Sequence, residues 1–118
     1  IQGGQVMNAA ARKAYAAKLA AIVVEHGGTV IVDSRKGYDY VAVTLPGIRF
    51  STDLEMRQSF PGILGHFYYA DKPLADDFAD SINPVHRTKA TLYRNTHDGF
   101  LVAFAQCCER IKDGSAFQ

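Results

Sequence analysis

The side chains that could do chemistry lie in small groups. His66-Phe67-Tyr68-Tyr69, between Gly65 and Asp71, sets an imidazole beside two phenols near a carboxylate, types suited to acid–base work. No nucleophile or fixed substrate contact accompanies it, and a strand with aromatics packed on both faces accounts for the same spacing. His97-Asp98 stands at a helix start, where capping and the helix dipole explain both residues. Cys107 and Cys108 are adjacent; helical neighbours point about 100° apart, so a disulfide between them would be strained. They read as free thiols of a reducing compartment, one in the core and one near the surface. His26 and His86 share no ligand spacing with the other histidines or the cysteines, so no zinc site is expected. Asp71, Asp76, Asp77 and Asp80 lack the alternating oxygen ligands and glycine of a calcium loop and read as a wet helix face. No catalytic residue, metal or cofactor is assigned.

Binding is better served than catalysis. From Gly28 to Phe50 the chain reads GTVIVDSRKGYDYVAVTLPGIRF, three short strands joined by two turns. Ser34-Arg35-Lys36-Gly37 forms the first turn and Pro46-Gly47 the second. Setting Asp33 against Tyr38, Leu45 against Ile48 and Val43 against Phe50 gives two faces. Val30, Val32, Val41, Val43, Leu45, Ile48 and Phe50 form the core face. Thr29, Ile31, Tyr38, Tyr40, Ala42, Thr44, Arg49 and Ser51 form the other. Tyrosine and arginine are enriched in binding hot spots, so Ile31, Tyr38, Tyr40 and Arg49 are the candidate partner or dimer surface.

The remaining elements must cover and carry this meander. A helix from Asn8 to about His26 has an apolar stripe of Tyr15, Leu19, Ile22, Val23 and His26, with Arg12, Lys13, Lys18 and Glu25 mostly off it. Thr52-Asp53-Leu54-Glu55 fits a capping box opening a short helix to about Ser59. A fourth strand follows through His66 to Ala70. Pro73 opens a short helix with Leu74, Phe78 and Ile82 as its stripe, ended by Asn83-Pro84. Thr88 to Arg94 alternates as a strand, with Ala90 and Leu92 on one side and Thr91 and Tyr93 on the other. Thr96 caps a last helix whose apolar face is Phe100, Leu101, Phe104, Cys107, Cys108 and Ile111, ended by Gly114. The class is α+β: an antiparallel sheet of four to five strands around the three-stranded meander, two long helices on one face, and one or two short helices. Residues 1–6 read as a vector-derived tail and 7–118 as a single domain.

A net charge of +1 gives no strong field for nucleic acid or anionic membranes, and no apolar run approaches the roughly 20 residues of a spanning helix. With no secretory pattern, a cytoplasmic location is expected. The function expected is a small interaction module that binds another protein, with self-association as one form, through the aromatic sheet face. The alternative is a small-molecule-binding or enzymatic domain with a pocket between sheet and helices, lined by His66, Tyr68, Tyr93 and Phe104. A second alternative is nucleic-acid binding through Arg35, Lys36, Arg87, Lys89 and Arg94. The order helix, three strands, helix resembles the double-stranded RNA-binding domain. That family meets phosphates with a lysine-rich start to its last helix, where this chain has Thr96-His97-Asp98.

Overall fold

The computed structural model describes residues 7–55, 62–69, 72–80 and 89–118. In chain order they form α1 (Ala9–Glu25), β1 (Thr29–Arg35), β2 (Tyr38–Leu45), β3 (Ile48–Glu55), β4 (Ile63–Tyr69), α2 (Asp76–Asp80), β5 (Lys89–Arg94) and α3 (His97–Asp113). The fold is α+β. Its sheet is a five-stranded antiparallel meander in the order β1-β2-β3-β4-β5. α1 lies on β1 and β2, α3 lies on β5 and against α1, and α2 touches β5.

Two tight turns set the meander. Gly37 and Gly47 take φ of 87° and 79°, a region L-residues avoid. The first hairpin is tighter than its sequence suggests: β1 runs on through Arg35, which pairs with Tyr38 across Lys36-Gly37. The expected register is therefore corrected by two residues, to Val30 opposite Val43 and Val32 opposite Val41. A shift of two leaves every side chain on its face, because strands alternate with period two. Leu45 faces Ile48 and Val43 faces Phe50 as expected.

The proposed capping box at Thr52 is also corrected. β3 continues to Glu55, because Ile48, Phe50, Thr52 and Leu54 keep alternating into the core. The Thr52 hydroxyl donates to the Leu64 carbonyl of β4 at 2.7 Å instead of capping a helix. The rest of that expected helix, residues 56–59, lies outside the described residues. So do residues 1–6, Ala70, Asp71, Ile82, the Asn83-Pro84 stop, His86, Arg87 and Thr88. The fourth strand begins earlier than expected, at Ile63, and the helix expected from Pro73 begins at Asp76.

The core is a cluster of four buried rings. Phe50 of β3 packs against Phe67 of β4 at 4.6 Å and Phe104 of α3 at 4.7 Å, and Phe100 lies 6.3 Å from both Phe50 and Phe104. Aromatic pairs of this kind contribute about 0.5–1.5 kcal/mol beyond their buried area. Leu19 and Val23 of α1 and Val41, Val43 and Leu45 of β2 complete it on the α1 side. Caps fix the helix starts: Asn8 accepts from the Ala11 amide at 2.8 Å, and Thr96 from the Gly99 amide at 3.0 Å. Gly114, at φ 87°, ends α3.

Arg12, expected off the helix stripe, is buried and lies 3.5 Å from the buried carboxylate of Asp39. His26 is a second polar tie. Its Nδ1 is 2.7 Å from the Ile22 carbonyl and its Nε2 is 2.8 Å from the Glu109 carboxylate of α3. Both partners only accept, so the doubly protonated ring satisfies both, and its pKa is raised by the Ile22 carbonyl first and Glu109 second. A raised folded pKa contributes stability that is full below the unfolded value of about 6.5 and lost as pH rises through the folded value. The melting temperature should therefore fall as pH rises above about 6.5, and Glu109→Gln should flatten that fall. Equal slopes for wild type and Glu109→Gln would refute the assignment.

Candidate functional site

The helices leave one face of the sheet uncovered among the described residues. Alternation sends Val41, Val43, Leu45, Phe50, Ile63, Phe67, Ala90 and Leu92 beneath α1 and α3, and their neighbours outward. The outward residues fall into rows across the strands. Ile31, Ala42, Ser51, His66 and Thr91 stand opposite one another from β1 to β5. On one side of that row run Thr29, Thr44, Arg49, Tyr68 and Lys89. On the other lie Asp33, Tyr40 and Asp53, with Leu64 paired to Tyr93, and beyond them Arg35, Tyr38 and Glu55.

The four residues of the expected binding surface all reach this face. Ile31 is 71% exposed and Tyr40 41%, and Tyr38 and Arg49 are also exposed. Arg49 sits at the far end of the face from Tyr38, six residues away along the strands, or about 20 Å at roughly 3.4 Å per residue. The four residues of the expected pocket do not come together. His66, Tyr68 and Tyr93 belong to the open face, whereas Phe104 is fully buried on the opposite side of the sheet among Phe50, Phe67 and Phe100. The pocket as grouped from sequence is therefore corrected. Alternation accounts for it: Ile63, Gly65 and Phe67 turn toward the helices, whereas Leu64, His66 and Tyr68 turn away from α3, which carries Phe104.

The charges on this face are unevenly placed. Arg49 and Lys89 share one end, with the Lys89 ammonium 5.9 Å from the centre of the Tyr68 ring. Asp53 and Glu55 share the other. Asp33 and Arg35 bind each other there, at 2.7 and 2.9 Å, and the hydrogen bond from Arg35 lowers the Asp33 pKa. Near this acidic end an open hollow of about 460 Å³ is lined by Asp33, Arg35, Tyr38, Tyr40, Asp53 and Glu55. A cleft of about 400 Å³ adjoins it and runs past Tyr40, Asp53 and His66 to Met7 and His97.

That cleft joins two histidines from separate sequence groups. His66 lies 2.9 Å from the Thr91 hydroxyl, and burial, then the Lys89 charge, lowers its pKa. His97 is likewise lowered by burial, and its carbonyl accepts a 2.7 Å hydrogen bond from the Tyr15 hydroxyl. Both rings are neutral near pH 7. The thiols are poor nucleophiles, since burial pushes Cys107 up to about 11 and Cys108 up to about 12. Among the described residues no group of three or more His, Cys, Asp or Glu could hold a metal ion.

The basic residues proposed to contact phosphates are dispersed. Arg35 ends β1, Lys36 occupies the turn, Lys89 and Arg94 mark opposite ends of β5, and Arg87 lies outside the described residues. Five strands, rather than three, separate α1 from α3. No helix among the described residues is long and apolar enough to cross a membrane. No protein-family model, curated protein or solved structure matches the chain.

The sequence pointed to the β1–β3 half of the face and missed that His66, Tyr68, Thr91 and Tyr93 extend it. The available signal was the alternation of Ile63, Gly65 and Phe67 with Leu64, His66 and Tyr68.

Proposed function

We propose that this chain is a small interaction module that binds a protein partner through the open face of its sheet. The observation that supports it is the exposure on one uncovered face of Ile31, Tyr38, Tyr40, Leu64 and Tyr68, bracketed by charges. Exposed apolar groups gathered on one surface and rimmed by polar residues mark interaction sites more often than solvent-facing accidents. Tyrosine suits such a role because it offers a large rigid contact with a hydroxyl at its tip and has little conformational freedom to lose.

The double variant Tyr38→Ala, Tyr40→Ala tests this reading. Both rings stand on the open face, so the variant should keep the wild-type melting temperature to within a few degrees, since surface changes usually stay within about 0.5 kcal/mol. It should lose polypeptides that the immobilised wild type retains, or sediment as a smaller species. Unaltered sedimentation together with an unaltered retained set would reject the binding face.

A second reading, a small-molecule site, draws on the cleft that brings neutral His66 and His97 near Asp53 and Glu55. It requires His66→Ala to abolish binding of a small ligand while Tyr38→Ala leaves that binding intact.

A further inference from the structure

We propose that the partner of the open face is a second copy of the chain, packed face to face about a two-fold axis lying along the row Ile31-Ala42-Ser51-His66-Thr91. This rests on the binding-face reading above and names its partner. Of the two outward rows that span all five strands in continuous register among the described residues, it is the one flanked by outward residues on both sides, and β3, which carries Ser51, is the middle strand. A half-turn about it lays each strand on its own counterpart, running the opposite way, and brings the row on one side over the row on the other.

The residues so matched are complementary. On β3, Arg49 comes over Asp53 of the other copy, and Asp53 over Arg49. Both are exposed, and neither forms an ion pair among the described residues. On β2, Tyr40 comes over Thr44, a large ring against a small side chain. On β4, Tyr68 comes over Leu64, and on β5, Lys89 comes over the Tyr93 ring. Sheets packed face to face lie about 10 Å apart, so their side chains must interdigitate, and large against small is the pattern that permits it. The axial row is short or medium throughout its centre, at Ala42, Ser51 and His66. The hollow of about 460 Å³ beside Asp53 gives the incoming Arg49 side chain a place to enter. Because Arg49 and Asp53 each meet the opposite charge in the second copy, a second copy neutralises both. Sheet twist makes the match closest over β2, β3 and β4.

Analytical ultracentrifugation with complementary charge reversals tests this. Wild type at about 100 µM should sediment as a dimer that dissociates as salt is raised. Arg49→Glu and Asp53→Arg should each weaken it by about tenfold or more while retaining the wild-type melting temperature. An equimolar mixture of Arg49→Glu with Asp53→Arg should recover a dimer that neither forms alone, because the mixed pair restores two opposite-charge contacts. A wild type that stays monomeric, an Arg49→Glu dimer of undiminished affinity, or a mixture that stays monomeric overturns the second-copy proposal. If the wild type is monomeric but the Tyr38→Ala, Tyr40→Ala variant still loses a retained foreign polypeptide, the second copy falls and the binding face stands. If that loss is also absent, both fall.

Discussion

Asp39→Ala should cost this domain about 3–5 kcal/mol of stability, a fall in melting temperature on the order of 15 °C. Asp39 is buried on the helix side of β2, and among the described residues its carboxylate meets the Arg12 guanidinium, Nε to Oδ1, at 3.5 Å. Arg12 is buried as well, and its Nη1 donates to the Met7 carbonyl at 3.1 Å. A one-point contact of that length gains little Coulomb energy relative to the cost of taking both charges out of water. Removing the carboxylate therefore leaves a buried cation without a counter-charge, and the loss far exceeds what the pair contributes. The double variant Arg12→Met, Asp39→Leu should recover most of the lost stability or exceed the wild type, since it removes both charges and fills the space. Urea denaturation of the three proteins checks this. A single-variant loss below about 1 kcal/mol, or a double variant no better than the single, would contradict it.

That ion pair also shows where legibility ended. Helix periodicity found Tyr15, Leu19 and Val23, but residue type kept Arg12 outside, although it lies three and seven positions before Tyr15 and Leu19 on the same stripe. Asp39 has the parity of Val41 and Val43, the core parity, yet a carboxylate is ordinarily counted outward. Each charge was anomalous alone, and the two anomalies explain each other. The first helix was expected across the core face of the meander, as observed, but that placement did not fix which of its residues meets which position of β2, so the sequence did not say that these two charges touch. The meander was legible for the opposite reason. Alternation from Tyr38 to Phe50 settles which side chains face in, and even a hairpin misjudged by two residues left Val41 inward and Tyr40 outward.

The candidate face was half legible on the same grounds. Ile31, Tyr38, Tyr40 and Arg49 came from strands whose pairing the turns dictate. His66, Tyr68 and Tyr93 belong to strands whose partners are set by longer connections, and no short turn fixes their register. Phe104 was grouped with them because aromatic residues suit a pocket lining as well as a core. Burial decided otherwise: Phe104 packs on Phe50, and the Phe50 ring rests close against the backbone of Gly65 in β4.

Gly65→Ala should destabilise the fold by about 1–3 kcal/mol, although alanine suits a strand better than glycine does. A Cβ at this position would sit 2.3 Å from Cζ and 2.6 Å from Cε1 of Phe50, and 3.2 Å from the Ser51 carbonyl oxygen. The constraint is space alone, for Gly65 is not among the glycines with positive φ. A flexible side chain could yield, but this ring is held by Phe67 at 4.6 Å and Phe104 at 4.7 Å, themselves fully buried. Phe50 can retreat only by pushing α3 from the sheet or abandoning its rotamer. A double-mutant cycle separates this clash from a general effect of the substitution. Phe50→Leu alone should lose about 1–2 kcal/mol through the cavity it leaves. Added to Gly65→Ala, it should cost almost nothing further, because the methyl group occupies part of the vacated space, so the double variant is more stable than the sum of the two losses. Additive losses would mean that Gly65 matters for some reason other than the ring above it.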